Sequence, residues 1–296
     1  MQTIDPDQIP SQQLHRLLLG AIAPRPIAFA STIDKEGNPN LSPFSCFNVF
    51  GVNPTTLIFS PSRRGRDNTL KDTFLNVKEV PEVVINVVTF DMVQQASLAS
   101  TEYPRGTNEF IKSGFTQMSS EKIRPFRVKE SPVQIECKVR QVIETGSEGG
   151  SANLIVCEVL LVHIKENIFD ENGTIDPNKI NLVGRMGGNY YVKASGSAIF
   201  KVPKPNDKMS LGIDALPELV RMSRILTGNE LARLGSLEAF PTAFDIITVS
   251  KSDLVRQMRI KFAGEPEMLL EQVHVMAKTL IANGEVNEAM KLLLAI

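Results

Sequence analysis

Hydroxyl groups and cations are concentrated in residues 40–76 of this chain. The polar side chains of the stretch are Ser42, Ser45, Asn48, Ser60, Ser62 and Thr73, and its cations are Arg63, Arg64, Arg66 and Lys71. Such groups suit a phosphate, because hydrogen bonds to an ionised partner are about twice as strong as neutral ones. Phe44, Phe47 and Phe50 lie in the same stretch and suit a flat conjugated ring. The stretch therefore indicates a ligand with a ring and a phosphate, such as FMN, with a solvated basic turn at a strand–loop–helix corner as the alternative.

The composition argues against several classes of protein. The 296 residues are 42% hydrophobic and carry a net charge of -1, so no strong field attracts nucleic acid or anionic lipid. No run reaches the ~18 apolar residues of a membrane span, and the polar N-terminus does not resemble a signal peptide. Cys46, Cys137 and Cys157 lack the spacing of a zinc site or a disulfide framework. We therefore expect a cytoplasmic protein without a bound metal.

The sequence contains none of three common motifs of hydrolases and nucleoside triphosphatases. The zinc-binding H-E-x-x-H, the nucleophile motif G-x-S-x-G and the phosphate-binding Walker A pattern are absent, so a hydrolase or a nucleoside triphosphatase has little support. His15, His163 and His274 are far apart in sequence, and the alternating run around His163 predicts a half-buried strand residue. A catalytic side chain is therefore not identified.

The first two thirds of the chain have the pattern of a β protein. Alternating and β-branched runs predict strands over residues 26–32, 41–49, 55–60, 82–88, 133–144 and 153–164. Gly37 and Asn38 provide a hairpin turn between the first two strands. Short helices are predicted over residues 71–77, 91–100 and 109–114, the first capped by Asp67, Asn68 or Thr69. Many strands with short connections, and no G-x-G-x-x-G, favour a barrel over a doubly wound sheet.

The pattern becomes helical after the proline- and lysine-rich run KVPKPNDKM, which is typical of a linker. Helices are predicted over residues 217–225, 229–237, 267–283 and 286–296, with Gly284 separating the last two. The third helix has an apolar stripe formed by Leu269, Leu270, Val273, Met276, Ala277 and Leu280. Because a lone helical hairpin is marginal in water, we expect this stripe to pack on the barrel or on a partner subunit. The predicted domains are residues 1–203, a barrel, and residues 204–296, a helical extension.

Four segments of the first domain resemble the flavin reductase-like family of FMN-binding split barrels, which includes the flavoredoxins. They are APRPIAFASTID, NLSPFSCFNVFGVNPTTLIFS, RRGRDNTLKDTFLN and LVGRMGGNYYVK. The first three resemble the first strand, the second and third strands, and the phosphate loop of the family. The last resembles a late segment with a glycine pair before a tyrosine. The resemblance covers about the first 195 residues and leaves out the C-terminal hundred.

The resemblance implies a mainly β split barrel, a homodimer and an FMN near the subunit interface. It implies that Ser42, Ser45, Phe47 and Asn48 line the isoalloxazine and ribityl chain. It also implies that the phosphate is held by Ser60, Ser62, Arg63 or Arg64, Lys71 and Thr73. Capping and surface charge are the alternative roles of Lys71 and Thr73. Arg25 either contacts the flavin or pairs with a carboxylate at the barrel end.

The function implied by the resemblance is an FMN oxidoreductase that takes hydride from NADH or NADPH and passes electrons to an acceptor. In such a protein the flavin supplies the redox chemistry and the chain positions it, which suits a sequence without a catalytic triad. The alternatives are a flavoredoxin-like electron carrier without direct nicotinamide oxidation and a non-catalytic flavin-binding protein. In the carrier, the C-terminal extension would dock a redox partner protein.

Overall fold

The computed structural model describes residues 1–203 and 209–296, which divide into two compact units, Met1–Phe200 and Lys201–Ile296. The predicted linker includes residues 204–208, which lie outside the described residues. The elements of the first unit are, in chain order, α1 (Ser11–Ala21), β1 (Ala28–Ile33), β2 (Pro39–Phe44), β3 (Phe47–Val52), β4 (Thr55–Phe59), α2 (Asp72–Glu79), β5 (Glu82–Val87), α3 (Val93–Leu98), α4 (Glu109–Ser113), β6 (Gln117–Met118), β7 (Arg127–Val128), β8 (Val133–Glu144), β9 (Asn153–Ile164), α5 (Pro177–Ile180), β10 (Leu182–Arg185) and β11 (Tyr191–Ala194).

The first unit is built on a seven-stranded antiparallel sheet in the order β2-β1-β5-β8-β9-β4-β3. The predicted hairpin is confirmed, since Ile33 pairs with Pro39 and Gly37 has a φ of +91° in the turn. Strands β8 and β9 have the predicted bounds. The mainly β character of this unit is therefore confirmed.

The strand predicted over residues 41–49 is not continuous in the structure. Residues 41–49 form the end of β2 and the start of β3, separated by Ser45 and Cys46. These two strands lie at opposite ends of the sheet order. Because the chain from Phe44 to Phe47 spans at most about 11 Å, the sheet must curve until its two edges approach each other at this corner.

The core of the sheet lies under α2. Phe44, Phe59 and Phe74 are buried there, and the rings of Phe44 and Phe59 are 5.7 Å apart between centroids. Helix α2 begins after Lys71, so none of the three predicted capping residues is its N-cap. Asp67 instead accepts hydrogen bonds from the N–H and hydroxyl of Thr69 at 3.0 and 2.6 Å, and thereby shapes the loop that leads into α2.

The second unit consists of short helices: α6 (Glu218–Arg221), α7 (Gly228–Gly235), α8 (Ala243–Ser250), α9 (Asp253–Lys261), α10 (Pro266–Ala282) and α11 (Val286–Leu294). Gly284, with a φ of +90°, separates the last two helices as predicted. Helices α8 and α9 are additional to the prediction. Their starts carry the hydroxyl caps Thr242 and Ser252.

Five of the six residues of the apolar stripe of α10 belong to, or pack on, a core within the second unit itself; Leu270 is the exception. Val273 and Ala277 are fully buried in a core that also contains Leu234, Val255 and Met290. The expectation that the stripe needs a barrel wall or a partner subunit is therefore wrong, because α7, α9 and α11 supply the covering side chains. Among the described residues, no helix has the length and apolar character needed to cross a membrane.

Candidate functional site

Two adjoining clefts open on the first unit, and Ser100 belongs to both of them. The larger, here called the apolar cleft, has a volume of about 200 Å³. Its lining consists of Ile27, Pro43, Phe44, Ser45, Val88, Val93, Ala96, Ser97, Ser100, Arg185 and Tyr191. The smaller, here called the cationic pocket, has a volume of about 20 Å³ and is lined by Asn40, Ser42, Arg64, Lys71, Asp72, Thr73, Ala99, Ser100, Thr101, Glu102, Tyr103 and Glu109.

The cations of the pocket come from the loop between β4 and α2. Arg64 is held in place because its guanidinium donates to the carbonyl of Leu70 at 2.6 Å and to the hydroxyl of Thr69 at 3.0 Å. Lys71 immediately precedes α2, where the first backbone N–H groups of a helix favour a bound anion. A loop and a helix start thus direct two cations to one place.

Lys71 is partly buried among charged groups. Burial is the largest cause that lowers the pKa of Lys71, the positive charges of Arg64 and Arg66 lower it further, and the carboxylate of Glu102 acts in the opposite direction. The lining of the pocket places Arg64 and Lys71 beside the acidic side chains of Asp72, Glu102 and Glu109. An anion that reaches the two cations would gain charge-assisted hydrogen bonds.

Glu102 pairs with all three cations around the pocket. Its carboxylate lies 3.2 Å from Arg64 Nε and 3.9 Å from Lys71 Nζ, and it also forms a short contact with Arg66. Glu102 follows α3 in the chain, 36 and 38 positions after the two arginines.

A buried polar network lies beneath the cations. The hydroxyl of Thr73 donates to Asn40 Oδ1 at 2.8 Å, and the Glu109 carboxylate accepts from the N–H of Leu41 at 3.0 Å. Thr73 and Glu109 are both buried, and burial raises the pKa of Glu109. The network fixes β2 against α2 and α4, and so it holds the floor of the pocket.

Ser45 lines the apolar cleft at the corner between β2 and β3. Its Oγ accepts a hydrogen bond from Arg25 Nε at 3.4 Å. The Arg25 guanidinium also donates to the carbonyls of Ile22 at 2.8 Å and Met186 at 2.7 Å, as well as to that of Leu19. In the described part of the chain its hydrogen-bond partners are thus carbonyls and a hydroxyl, and of the two alternatives for Arg25 the pairing with a carboxylate is not seen.

The far end of the apolar cleft is formed by β10 and β11. The Arg185 guanidinium lies 4.8 Å from the centroid of the Tyr191 ring and donates to the Tyr191 hydroxyl at 2.5 Å. Such stacking of a guanidinium on an aromatic face holds both side chains in one orientation. The two residues belong to the late glycine–tyrosine segment of the sequence.

The structure brings half of the predicted site residues to the two clefts. These are Ser42, Ser45, Arg64, Lys71 and Thr73. The others, Phe47, Asn48, Ser60, Ser62 and Arg63, are outside the lining. Their assignment to a ligand stays a prediction.

Each residue outside the lining has another environment within this chain. Phe47 packs on the sheet core, while the exposed Asn48 accepts from the N–H of Val49. The hydroxyls of Ser60 and Ser62 are 3.3 Å apart. Arg63 approaches the carbonyl of Asn68 and, at 3.9 Å, the carboxylate of Glu144. Of the two arginines left open by the sequence, Arg64 is therefore the one at the pocket.

Sequence reasoning missed the pocket residues that follow α3. Ser100, Thr101, Glu102 and Tyr103 lie in an irregular loop without alternation or a known motif. The sequence does show an acidic residue, Glu102, next to hydroxyl side chains. Nothing in the sequence, however, indicates that Glu102 pairs with cations more than thirty positions earlier. Across the described residues, no group of three or more His, Cys, Asp or Glu side chains could hold a metal ion.

The comparison with protein families decides the relationship. The model of the flavin reductase like domain matches residues 20–180, which is more than half of the chain. The chain belongs to the flavin reductase-like family. The resemblance noted in the sequence is thereby confirmed, and the second unit lies outside the match.

Individual relatives agree with this assignment. An uncharacterized protein of Aquifex aeolicus is 40% identical over 189 residues, which cover 64% of this chain and 94% of the relative. The crystal structure of nitrilotriacetate monooxygenase component B from Bacillus cereus is similar with a TM-score of 0.64 and 27% identity, covering 68% of this chain and 98% of that one. The 2-nitrobenzoate 2-nitroreductase NbaA of Pseudomonas fluorescens shares the fold, with a TM-score of 0.61 and 24% identity over 71% of this chain and 100% of that one.

Proposed function

We propose that this member of the flavin reductase-like family binds FMN across the two clefts and is an oxidoreductase that uses NADH or NADPH. The observation that carries the proposal is the direct junction, at Ser100, of a pocket lined by the cations Arg64 and Lys71 and an apolar cleft. A ligand with an anionic end and a flat apolar end matches that pair, and the curved sheet around it is proposed to be the FMN-binding split barrel.

The residues present fit this cofactor. At the cationic end, Arg64 and Lys71 would hold the phosphate together with the hydroxyls of Ser42 and Thr101. The partly buried position of Lys71 next to Arg64 supports this assignment, because a dianion at the pocket would offset the repulsion between the two cations. Thr73 would act indirectly, since its hydroxyl is buried and committed to Asn40.

The apolar cleft would hold the ring. Phe44 and Pro43 offer apolar contacts from β2, and Val93 and Ala96 offer them from α3. Ser45 accepts a hydrogen bond from Arg25, so its own hydroxyl hydrogen is free to be donated into the cleft. A donor held in this way stabilises negative charge that develops on a bound ring.

The bound flavin would supply hydride and electron transfer between NAD(P)H and an acceptor. The chain itself needs only to bind, orient and polarise, which agrees with the absence of a nucleophile motif in its sequence. Arg25 contributes by fixing Ser45 and by tying the end of α1 to the segment after β10. Its charge lies close to the cleft without depending on a carboxylate.

We further propose a cytoplasmic homodimer. Strand β3 is an edge of the sheet and carries the exposed apolar side chains Val49, Phe50 and Val52, which a second copy would cover. Phe47 and Asn48 lie on the same strand and would then stand close to the subunit boundary. Light scattering that gives a monomer mass for the flavin-bound protein would contradict the dimer.

The proposed function is tested in two steps. The purified protein is titrated with FMN, FAD and riboflavin, and any cofactor that it carries is identified by mass. The FMN complex is then mixed anaerobically with NADH or NADPH in a stopped-flow instrument. Rapid loss of the visible flavin absorption is the expected result. FMN binding without bleaching by either nucleotide would refute the reductase and favour the electron carrier.

A further inference from the structure

One carboxylate occupies the cations of the proposed phosphate site. Glu102 forms ion pairs with Arg64, Arg66 and Lys71, and its side chain lines the cationic pocket. A carboxylate and a phosphate use the same chemistry toward such cations, namely charge-assisted hydrogen bonds to ionised oxygens. Both anions cannot use the full set of donors at once.

We propose that Glu102 competes with the ligand's phosphate for these cations, so that the phosphate displaces the carboxylate and Glu102 sets both affinity and selectivity for a dianionic ester. The inference rests on the proposed function, since it takes the phosphate of FMN as the entering group. A dianion gains more than a monoanion from three cations, so a phosphate ester displaces the carboxylate more readily than a ligand carboxylate does. An uncharged ligand does not have to displace it, so Glu102 lowers the affinity for a phosphate ester and leaves that for an uncharged ligand unchanged.

The location of Glu102 allows it to move aside. The residue lies in the loop between α3 and α4, and its side chain is 35% exposed. Each pair at such exposure changes an equilibrium by no more than about fivefold, because water screens the charges and the side chains lose freedom. Solvent beside the pocket can rehydrate the released carboxylate. The free energy lost when the ion pairs of Glu102 break is therefore small enough to be offset by the hydrogen bonds of a bound phosphate.

The pairing of the acidic groups around the pocket supports the same view. Among the described residues, Glu102 is the carboxylate that pairs with both Arg64 and Lys71. Asp67, Asp72 and Glu109 are the other acidic groups near the cations, and two of them are engaged elsewhere: Asp72 with Arg105, and Glu109 with the N–H of Leu41.

The test is the Glu102→Gln variant, measured for FMN, riboflavin and inorganic phosphate. Removal of the competing charge should tighten FMN binding about three- to tenfold, which lies within the wider range that two or three exposed ion pairs allow. Inorganic phosphate should become a better competitor of FMN by a similar factor. Riboflavin, which lacks the phosphate, should change by less than about twofold because only the screened long-range field differs.

The Glu79→Gln variant is a matched control. Glu79 has the same 35% exposure and pairs with Arg105, but it is outside the lining of both clefts. It loses the same formal charge and should leave all three affinities within about twofold. Circular dichroism checks that both variants are folded. If Glu102→Gln is insoluble, Glu102→Ser removes the same carboxylate and carries the same expectation.

The outcomes separate the inference from the proposed function. Weaker or unchanged FMN binding in Glu102→Gln overturns the inference, because Glu102 would then position the cations or take no part. Absence of FMN binding in the natural protein refutes the proposed function. In that case calorimetry would measure the binding of inorganic phosphate directly. Tighter binding by Glu102→Gln than by the natural protein would still support the competition at the cationic pocket.

Discussion

Replacement of Lys71 by methionine separates a phosphate-binding role from a structural one. Methionine keeps a long unbranched side chain and removes only the charge. Lys71 precedes α2 without a side-chain capping bond, so its ammonium makes no hydrogen bond that begins the helix. If the ammonium instead serves the ligand, the variant should lose affinity for FMN and keep its fold.

The expected loss is about tenfold. A hydrogen bond to a charged group contributes roughly 1.5–3 kcal/mol, and the 30% exposure of the Lys71 side chain places it at the lower end. At ~1.4 kcal/mol per decade this is one decade in the dissociation constant. Riboflavin affinity should not change, so the ratio of the two affinities isolates the phosphate.

The stability of the ligand-free protein should move in the opposite direction. Since the pKa of Lys71 is lowered in the folded state, chiefly by burial and then by Arg64, the charged form is less favourable there than in the unfolded chain. Removal of the charge should therefore keep or raise the melting temperature at neutral pH. In the natural protein, the melting temperature should rise through the same effect only when Lys71 loses its proton, as the pH increases from the lowered pKa toward 10.5. Lys71→Met has no proton to lose there and should not show this rise.

The assay is fluorescence titration with FMN and riboflavin, with melting curves from pH 7 upward. Lys78→Met is the control, because Lys78 lies on α2, is half-exposed and pairs with Glu144 outside the clefts. An unchanged FMN-to-riboflavin ratio in Lys71→Met would refute the reasoning and return Lys71 to the capping and surface-charge interpretation. Thr73→Ala is less decisive, since it also breaks the buried hydrogen bond to Asn40.

Two further predictions concern stability and the division of the chain. Glu136→Gln should destabilise the first unit by at least roughly 1.5–3 kcal/mol in urea unfolding, because the buried carboxylate accepts from the N–H groups of Glu121 and Lys122 at 2.8 and 2.7 Å. Burial opposes ionisation of Glu136, but these hydrogen bonds and His163 lower its pKa below 4.5. In the natural protein, the contribution of the ionised carboxylate to the free energy of unfolding should therefore disappear as the pH falls below 4.5. In Glu136→Gln that contribution should be absent at every pH. A chain that ends at Phe200 should fold by circular dichroism and turn yellow with FMN, since the cleft residues all precede Val192 and the second unit has its own core. A folded but colourless truncated protein would show that the second unit contributes to the flavin site.

The sequence predicts those parts of the fold that local pattern determines. Strands β8 and β9 are long alternating runs, and their bounds agree with the prediction. The glycine turns after β1 and before α11 were found because a positive φ leaves a composition signal. Helix α1 was missed because its leucines are followed by a proline-rich stretch and two of them, Leu17 and Leu18, stay half-exposed in the first unit.

The site was predictable only where its residues are close in sequence. Ser42, Ser45, Arg64, Lys71 and Thr73 fall in one stretch, and the clefts contain them. The other wall depends on tertiary packing, which brings Glu102 and Tyr191 beside that stretch from α3–α4 and from β11. The choice between Arg63 and Arg64 likewise depends on the path of one loop, because adjacent side chains point in different directions.

The corner at Ser45 and Cys46 affects how the sheet can assemble. Strands β2 and β3 are neighbours in sequence yet form the two outermost positions of the sheet order. Bringing the ends of β2 and β3 together costs almost no loop-closure entropy, because two residues separate them. The pairings of β1 with β5 and of β4 with β9 join strands about 50 and 100 residues apart, so these pairings carry most of the loop-closure entropy. The corner therefore joins the two edges of the sheet through two residues of the chain. A molecule bound at Ser45 would contact both edges, so its binding energy would add to the free energy of unfolding of the whole sheet.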